Sequence, residues 1–176
     1  MTYKMKAGIL YSQDGSQVLV RIRSKFCGPE KEILDMDGSL LFTADIRILD
    51  YPPQWAGNIS CREYVLTAPS GEELAVGKPR YADSEDPPIY GWPICRMPRV
   101  DRADLDFAGN AYTLVMRDSQ NYVLLDNQAA PAVQIKHRGI TGGWAIESVR
   151  DFSAGHLCGI FAFCRYIERE NEFPVV

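Results

Sequence analysis

Histidine is nearly missing from this chain: His137 and His156 are the only two. A histidine-rich metal centre is therefore excluded within one chain. A general base at either position needs a partner, and no residue adjacent in sequence supplies one. The five cysteines, at positions 27, 61, 95, 158 and 164, form no C-x-x-C pair and no zinc spacing with histidine. Reduced, mostly buried thiols are the expectation. No G-x-S-x-G, no phosphate loop and no G-x-G-x-x-G occurs. Without them there is no serine-nucleophile elbow and no nucleotide cradle, and no cofactor is expected. Asp35 and Asp37 flank a turn, but the twelfth residue counted from Asp35 is Ile46, where a calcium loop of EF-hand type needs Glu.

Long apolar runs are also lacking. None reaches the roughly 18 residues of a membrane-spanning helix, so no transmembrane span is expected. Lys4 and Lys6 are followed by no apolar segment of signal-peptide type, which makes a cytoplasmic location the default expectation. A basic excess is missing too: the net charge is −4 and the pI about 5.2. That argues against nucleic acid as a general partner and leaves a local basic patch open.

What is present is a set of strand–turn–strand units. Ile9–Val20 and Val65–Val76 align without a gap, with Gly15 over Gly71. Ile33–Phe42 repeats the form around Asp37-Gly38, and Thr113–Leu125 repeats it without a glycine. Gly after Asp or Ser between apolar runs signals a hairpin, because glycine accepts positive φ. About twelve strands are expected, centred near Gly8, Val20, Ile33, Phe42, Tyr64, Val76, Met97, Phe107, Thr113, Leu124, Gln134 and Ile146. At 176 residues, 46% hydrophobic and 24% charged, the chain reads as one domain. Two stretches read as long connections, Asp50–Ser60 and Ala82–Pro98, each rich in proline. Gly139-Ile140-Thr141-Gly142-Gly143 reads as a turn.

The end of the chain differs from everything before it. Leu157–Cys164 is apolar or glycine throughout, and Tyr166 and Ile167 extend it past Arg165. The pattern predicts a helix over about 153–170, capped by Asp151 or Ser153, with Glu168–Glu172 emerging into solvent. A helix apolar around its circumference must be enclosed. In a chain of strands, that places it inside an antiparallel barrel of about twelve strands, too wide for side chains alone to fill. The fold class expected is therefore mostly β with one central hydrophobic helix.

The units around Asp35-Met36-Asp37-Gly38 and Pro69-Ser70-Gly71, followed by the Leu157–Ile167 helix, resemble the tubby C-terminal-like superfamily, in particular its LURP-one-related branch. The resemblance in layout covers nearly the whole chain. It implies a barrel around a central C-terminal helix and, from the tubby proteins, recognition of phosphoinositide headgroups by basic residues on the barrel wall. Phospholipid scramblases look similar, but their terminal segment is read as a longer hydrophobic span, from which Arg165 departs.

The candidate ligand-binding residues are Lys136, His137 and Arg138 in one cluster, and Arg96, Arg99 and Arg102 in a looser one beside Asp101, Asp104 and Asp106. No catalytic or metal-ligating residue is assigned. A filled barrel leaves no interior pocket, so a non-enzymatic binding or scaffold module is expected, its partner an anionic lipid headgroup or a protein. Two other functions stay open here: a barrel carrying a small apolar ligand with the last helix packed outside, and a hydrolase using Asp and His residues from the loops around 83–106 and 137–144. Trp55, Trp92 and Trp144 fall in or beside loops, where they either plug the barrel ends or form a contact surface.

Overall fold

The computed structural model describes residues 1–50, 59–82, 99–118 and 120–171. Among these residues twelve strands follow one another: β1 (Thr2–Lys6), β2 (Ile9–Tyr11), β3 (Val18–Ser24), β4 (Lys31–Leu34), β5 (Leu40–Ile48), β6 (Arg62–Thr67), β7 (Glu73–Tyr81), β8 (Val100–Phe107), β9 (Asn110–Met116), β10 (Tyr122–Asp126), β11 (Pro131–His137) and β12 (Trp144–Ser148). Among the described residues two α-helices accompany them, a single turn α1 (Gly139–Gly142) and α2 (Ala154–Glu170), and a 3-10 turn at Ile59–Cys61 leads into β6. Each strand pairs antiparallel with its neighbour in sequence, and β1 pairs with β12, for example Tyr3 with Ile146, to close the barrel. Closure satisfies every edge that an open meander would leave exposed.

Inside and outside follow from strand alternation. On β8, Ala103, Leu105 and Phe107 point to the core while Asp104 and Asp106 face solvent. The inward side chains meet α2, which runs along the barrel axis. Eleven of its residues are buried, from Gly155 to Ile167. Leu157, Cys158, Ile160, Ala162, Phe163, Cys164 and Ile167 are fully so. α2 touches β3, β4, β5, β6, β8 and β9. It starts where expected: Ser153 is the cap, its hydroxyl accepting from the His156 amide at 3.2 Å.

The alternating strands define two ends. At the end where α2 begins lie the turns around Asp14, Gly38, Gly71, Gly109 and Asn127. At the end where α2 finishes, here called the lower rim, lie the connections around Gly8, Phe26 and Ile140, and the starts of β6 and β8.

Most of the described thiols are buried, Cys61, Cys158 and Cys164, while Cys27 is exposed. Between β11 and β12 the Gly139–Gly143 segment turns the chain through the single helical turn α1. Two expectations need correction. Gly8 is not a strand centre; Ala7 (φ 49°) and Gly8 (φ 75°) make a two-residue turn between β1 and β2. The charged end of α2 does not simply emerge into water: the Glu170 side chain is only 5% exposed, because Arg62 reaches up from β6 to meet it. The strand expected near Met97 lies outside the described residues, as do Trp55, Trp92 and Cys95. Among the described residues no helix is long and apolar enough to cross a membrane.

Candidate binding site at the lower rim

The lower rim is built by the last two turns of α2 and the strand ends that surround them. Tyr166 is anchored first. Its hydroxyl lies 2.9 Å from the Pro29 carbonyl and 3.0 Å from that of Ala44, so one O–H donor is shared between the β3–β4 connection and β5. Asn171 then clamps the helix end to β8, accepting from the Val100 amide at 2.9 Å and donating to the Val100 carbonyl at 2.8 Å.

Around these anchors sits a set of charged groups. Arg62 Nη1 lies 2.6 Å from Glu170 Oε2. Burial pushes the Glu170 carboxyl up, and the Arg62 charge opposes that shift. Beneath the pair the Tyr64 hydroxyl is buried beside the Glu170 carboxyl. Its pKa is raised first by burial and then by the nearby Glu170 charge. Arg165 pairs with Glu168 and also lies over the Trp144 ring, 5.5 Å from its centre. Trp144 is held in turn by a hydrogen bond from Nε1 to the Gln120 carbonyl at 3.1 Å, and it meets Phe161 edge-on.

Lys31 closes the group. Its Nζ stands 5.8 Å from the centre of the Tyr166 ring. Its pKa is lowered by burial first, then by the charges of Arg169 and Arg165. Neither Lys31 nor Arg169 has an ion-pair partner among the described residues. Pro29, Ile46, Ile48, Arg62, Tyr166, Arg169 and Glu170 line a hollow of about 540 Å³, open to solvent, with an apolar side and a cationic side.

The residues expected from sequence are only partly near this place. Lys136 faces out from β11 and pairs with Glu147 at 3.2 Å. His137 ends β11; its amide donates to Asn121 Oδ1 at 2.8 Å and its ring meets Trp144 edge-on at 5.1 Å. Arg138 is exposed on the rim. Arg99 precedes β8, close enough to contribute to the lowered pKa of Asp118. Arg102 pairs with Asp101 at 2.9 Å on the β8 wall. Arg96 lies outside the described residues. β11 and β8 are separated by β10 and β9, so the two expected clusters do not converge on one site. The residues that do converge were missed, apart from Arg165, which the sequence marks as the one charge in the apolar circumference. Lys31 and Arg62 carry no signal of their own, because each is one charged residue at the start of a strand.

Neither imidazole has a carboxylate partner among the described residues. His156 packs between Phe42 and Phe107, with ring centres at 5.2 and 5.1 Å, and burial lowers its pKa. A second open hollow, on the outer wall, is lined by Arg47, Glu63, Glu73, Lys78, Asp104 and Asp106 among others. Arg47 bridges Glu63 and Glu73, and Lys78 lies 3.7 Å from Glu63, so those charges are already matched within the wall. No protein-family model, no curated protein and no solved structure matches this chain.

Proposed function

We propose that this protein is a non-enzymatic, tubby-like binding module that takes an anionic lipid headgroup at the lower rim. One observation carries the proposal: Arg169 lines the open hollow, Lys31 stands over the Tyr166 ring of its lining, and neither has an ion-pair partner among the described residues. Like charges held close raise the free energy of the empty site, and an incoming anion relieves that repulsion. Arg169 also complements the carbonyl end of α2, which accounts for part of its placement but not for Lys31. The apolar side, with Pro29, Ile46 and Ile48, suits a ligand with hydrocarbon next to its charge.

Charge is segregated in a way that favours this orientation. The opposite end carries Asp14, Asp35, Asp37, Glu72, Asp126 and Asp151 against Arg150, the Lys4 ammonium beside Gly15 and the amino group of Met1 on the Ser148 carbonyl. An overall acidic chain can thus present one cationic face to an anionic surface. The closed barrel around an axial helix supports the tubby-like comparison. A carrier of apolar ligands would need the lumen that α2 fills. A hydrolase would need a carboxylate at one imidazole, and both rings are instead packed on aromatic side chains.

The test is co-sedimentation with vesicles of phosphatidylcholine containing phosphatidylserine or a phosphoinositide. Binding is expected to the anionic vesicles, to weaken with salt, and to be absent on phosphatidylcholine alone. Each basic residue near the surface contributes about 1 kcal/mol, so Lys31→Glu with Arg169→Glu is expected to weaken binding about tenfold or more. Wild-type protein that ignores every anionic vesicle would overturn the proposal.

A further inference from the structure

Two apolar side chains stand fully in solvent on the lower rim. Phe26, in the β3–β4 connection, and Ile140, in α1, each reach 103% relative exposure. A single exposed apolar residue is ordinary on a protein surface. These two differ in how they are held and in what surrounds them.

Each sits at the tip of a loop whose base is closed. In the first, the Lys25 amide donates to the Glu30 carbonyl at 3.2 Å, and the two side chains pair at 2.5 Å. In the second, the Arg138 amide donates to the Gly143 carbonyl at 2.8 Å. Gly143 fits so tightly that an added Cβ would stand 2.2 Å from the Met5 carbonyl oxygen, which seats this loop on the end of β1. The tips are therefore presented outward by fixed bases. They flank the Ala7-Gly8 turn, four strands apart around the ring, about 19 Å along it at the usual strand spacing.

Their neighbours are mostly cationic, Glu30 in the Phe26 loop being matched by Lys25. Lys25 precedes Phe26, Arg138 lies two residues before Ile140, and Lys6 stands between the loops, exposed like Arg138. Ile48, 59% exposed, continues the apolar rim beside the hollow already described. The other end of the barrel also exposes apolar side chains, Met36 and Val149 among them. There the neighbours are Asp35 and Asp37 beside Met36, which an anionic surface repels, and Asp151 with Arg150 beside Val149, the arginine already paired with Asp126.

We propose that the protein docks end-on to an anionic bilayer, with Phe26 and Ile140 inserted below the headgroups and Lys6, Lys25 and Arg138 at headgroup level. This rests on the headgroup-binding function above and adds to it the anchors and the orientation. Paired apolar and electrostatic contributions are what reversible docking requires, because either alone is weak.

The experiment titrates the full-length protein with vesicles of phosphatidylcholine containing 30 mol% phosphatidylserine. The variants are Phe26→Ser, Ile140→Ser and, at the opposite end, Val149→Ser. Burying one such side chain corresponds to about a tenfold gain in affinity, so each rim variant is expected to bind about tenfold more weakly. Val149→Ser is expected to bind like wild type. Phe26→Leu, which keeps the apolar bulk, should restore most of the binding, and thermal melts of all variants should coincide with wild type. Wild-type binding with no loss in Phe26→Ser and Ile140→Ser would overturn the insertion and leave headgroup binding in place. No wild-type binding at all would overturn both. Equal losses in Val149→Ser, or a change in self-association without vesicles, would make the tips something other than bilayer anchors and would also overturn it.

Discussion

Three alanines carry positive φ: Ala7 (49°), Ala108 (50°) and Ala129 (59°). Each completes a hairpin turn, a task for which Asn, Asp or Gly is the usual choice. This is why the Ala7-Gly8 turn reads as strand in the sequence and why the turn before β11 gives no glycine signal. At Ala129 the strain has a direct consequence. The left-handed region costs a residue with a Cβ about 1–2 kcal/mol, and the greater freedom of unfolded glycine returns part of that. Ala129→Gly is expected to stabilise the protein by about 0.5–1 kcal/mol, read from chemical denaturation. The same turn is pinned by Asp126, whose carboxylate accepts the amides of Gln128 and Ala130 and pairs with Arg150. Asp14 and Asp118 play similar parts in their turns, and all three carboxyls lie below the usual value of 3.8. The sign follows from that depression. Their contribution is complete above the unfolded carboxylate range and is lost as pH falls through the lower folded values. Glu170, raised by burial, acts the other way: its contribution is full below its unfolded value of 4.5 and is lost as pH rises through the raised folded value. Melting temperature is therefore expected to fall steeply below about pH 4, and less steeply in Asp126→Asn.

At the scale of the element, α2 explains why glycines persist in an otherwise apolar helix. A Cβ at Gly155 would stand 2.6 Å from Phe42, and one at Gly159 would stand 2.7 and 2.9 Å from the methyl groups of Leu66. Glycine weakens a helix by about 1 kcal/mol relative to alanine, so close approach to β5 and β6 is the compensating gain. Gly159→Val adds a Cβ and two methyl groups where the fully buried Leu66 already stands. It is expected to destabilise by about 2–3 kcal/mol, with a lower melting temperature and unchanged secondary structure in the folded state. The cap at Ser153 and the apolar circumference were legible in the sequence. The role of Glu170 was not, because a charged residue at a helix end reads as solvated until Arg62, 108 positions away in sequence, is seen to meet it.

For the whole molecule, α2 is the part on which the barrel depends. Leu157, Ile160, Phe161, Phe163, Tyr166 and Ile167 bury most or all of their surface in the lumen. At the usual value per buried side chain they contribute on the order of 10 kcal/mol of gross hydrophobic stabilisation, comparable to the net stability of a domain. Removing them leaves a wide apolar cylinder facing water. The fragment 1–152 is expected to yield no soluble, cooperatively melting protein, and a sharp thermal transition from it would refute the dependence.

The sequence by itself determined most of the strands, most of the hairpin turns and the enclosed helix. Alternation, turn glycines and an all-round apolar segment are local patterns, and each has one stable way to bury its surface. Only the tertiary structure decided which charges face one another. Lys31, Arg62 and Arg169 come from three separate elements, and strand closure sets their distances. Phe26 and Ile140 became a pair for the same reason, since β3, β2, β1 and β12 had to close side by side before two distant loops shared one rim.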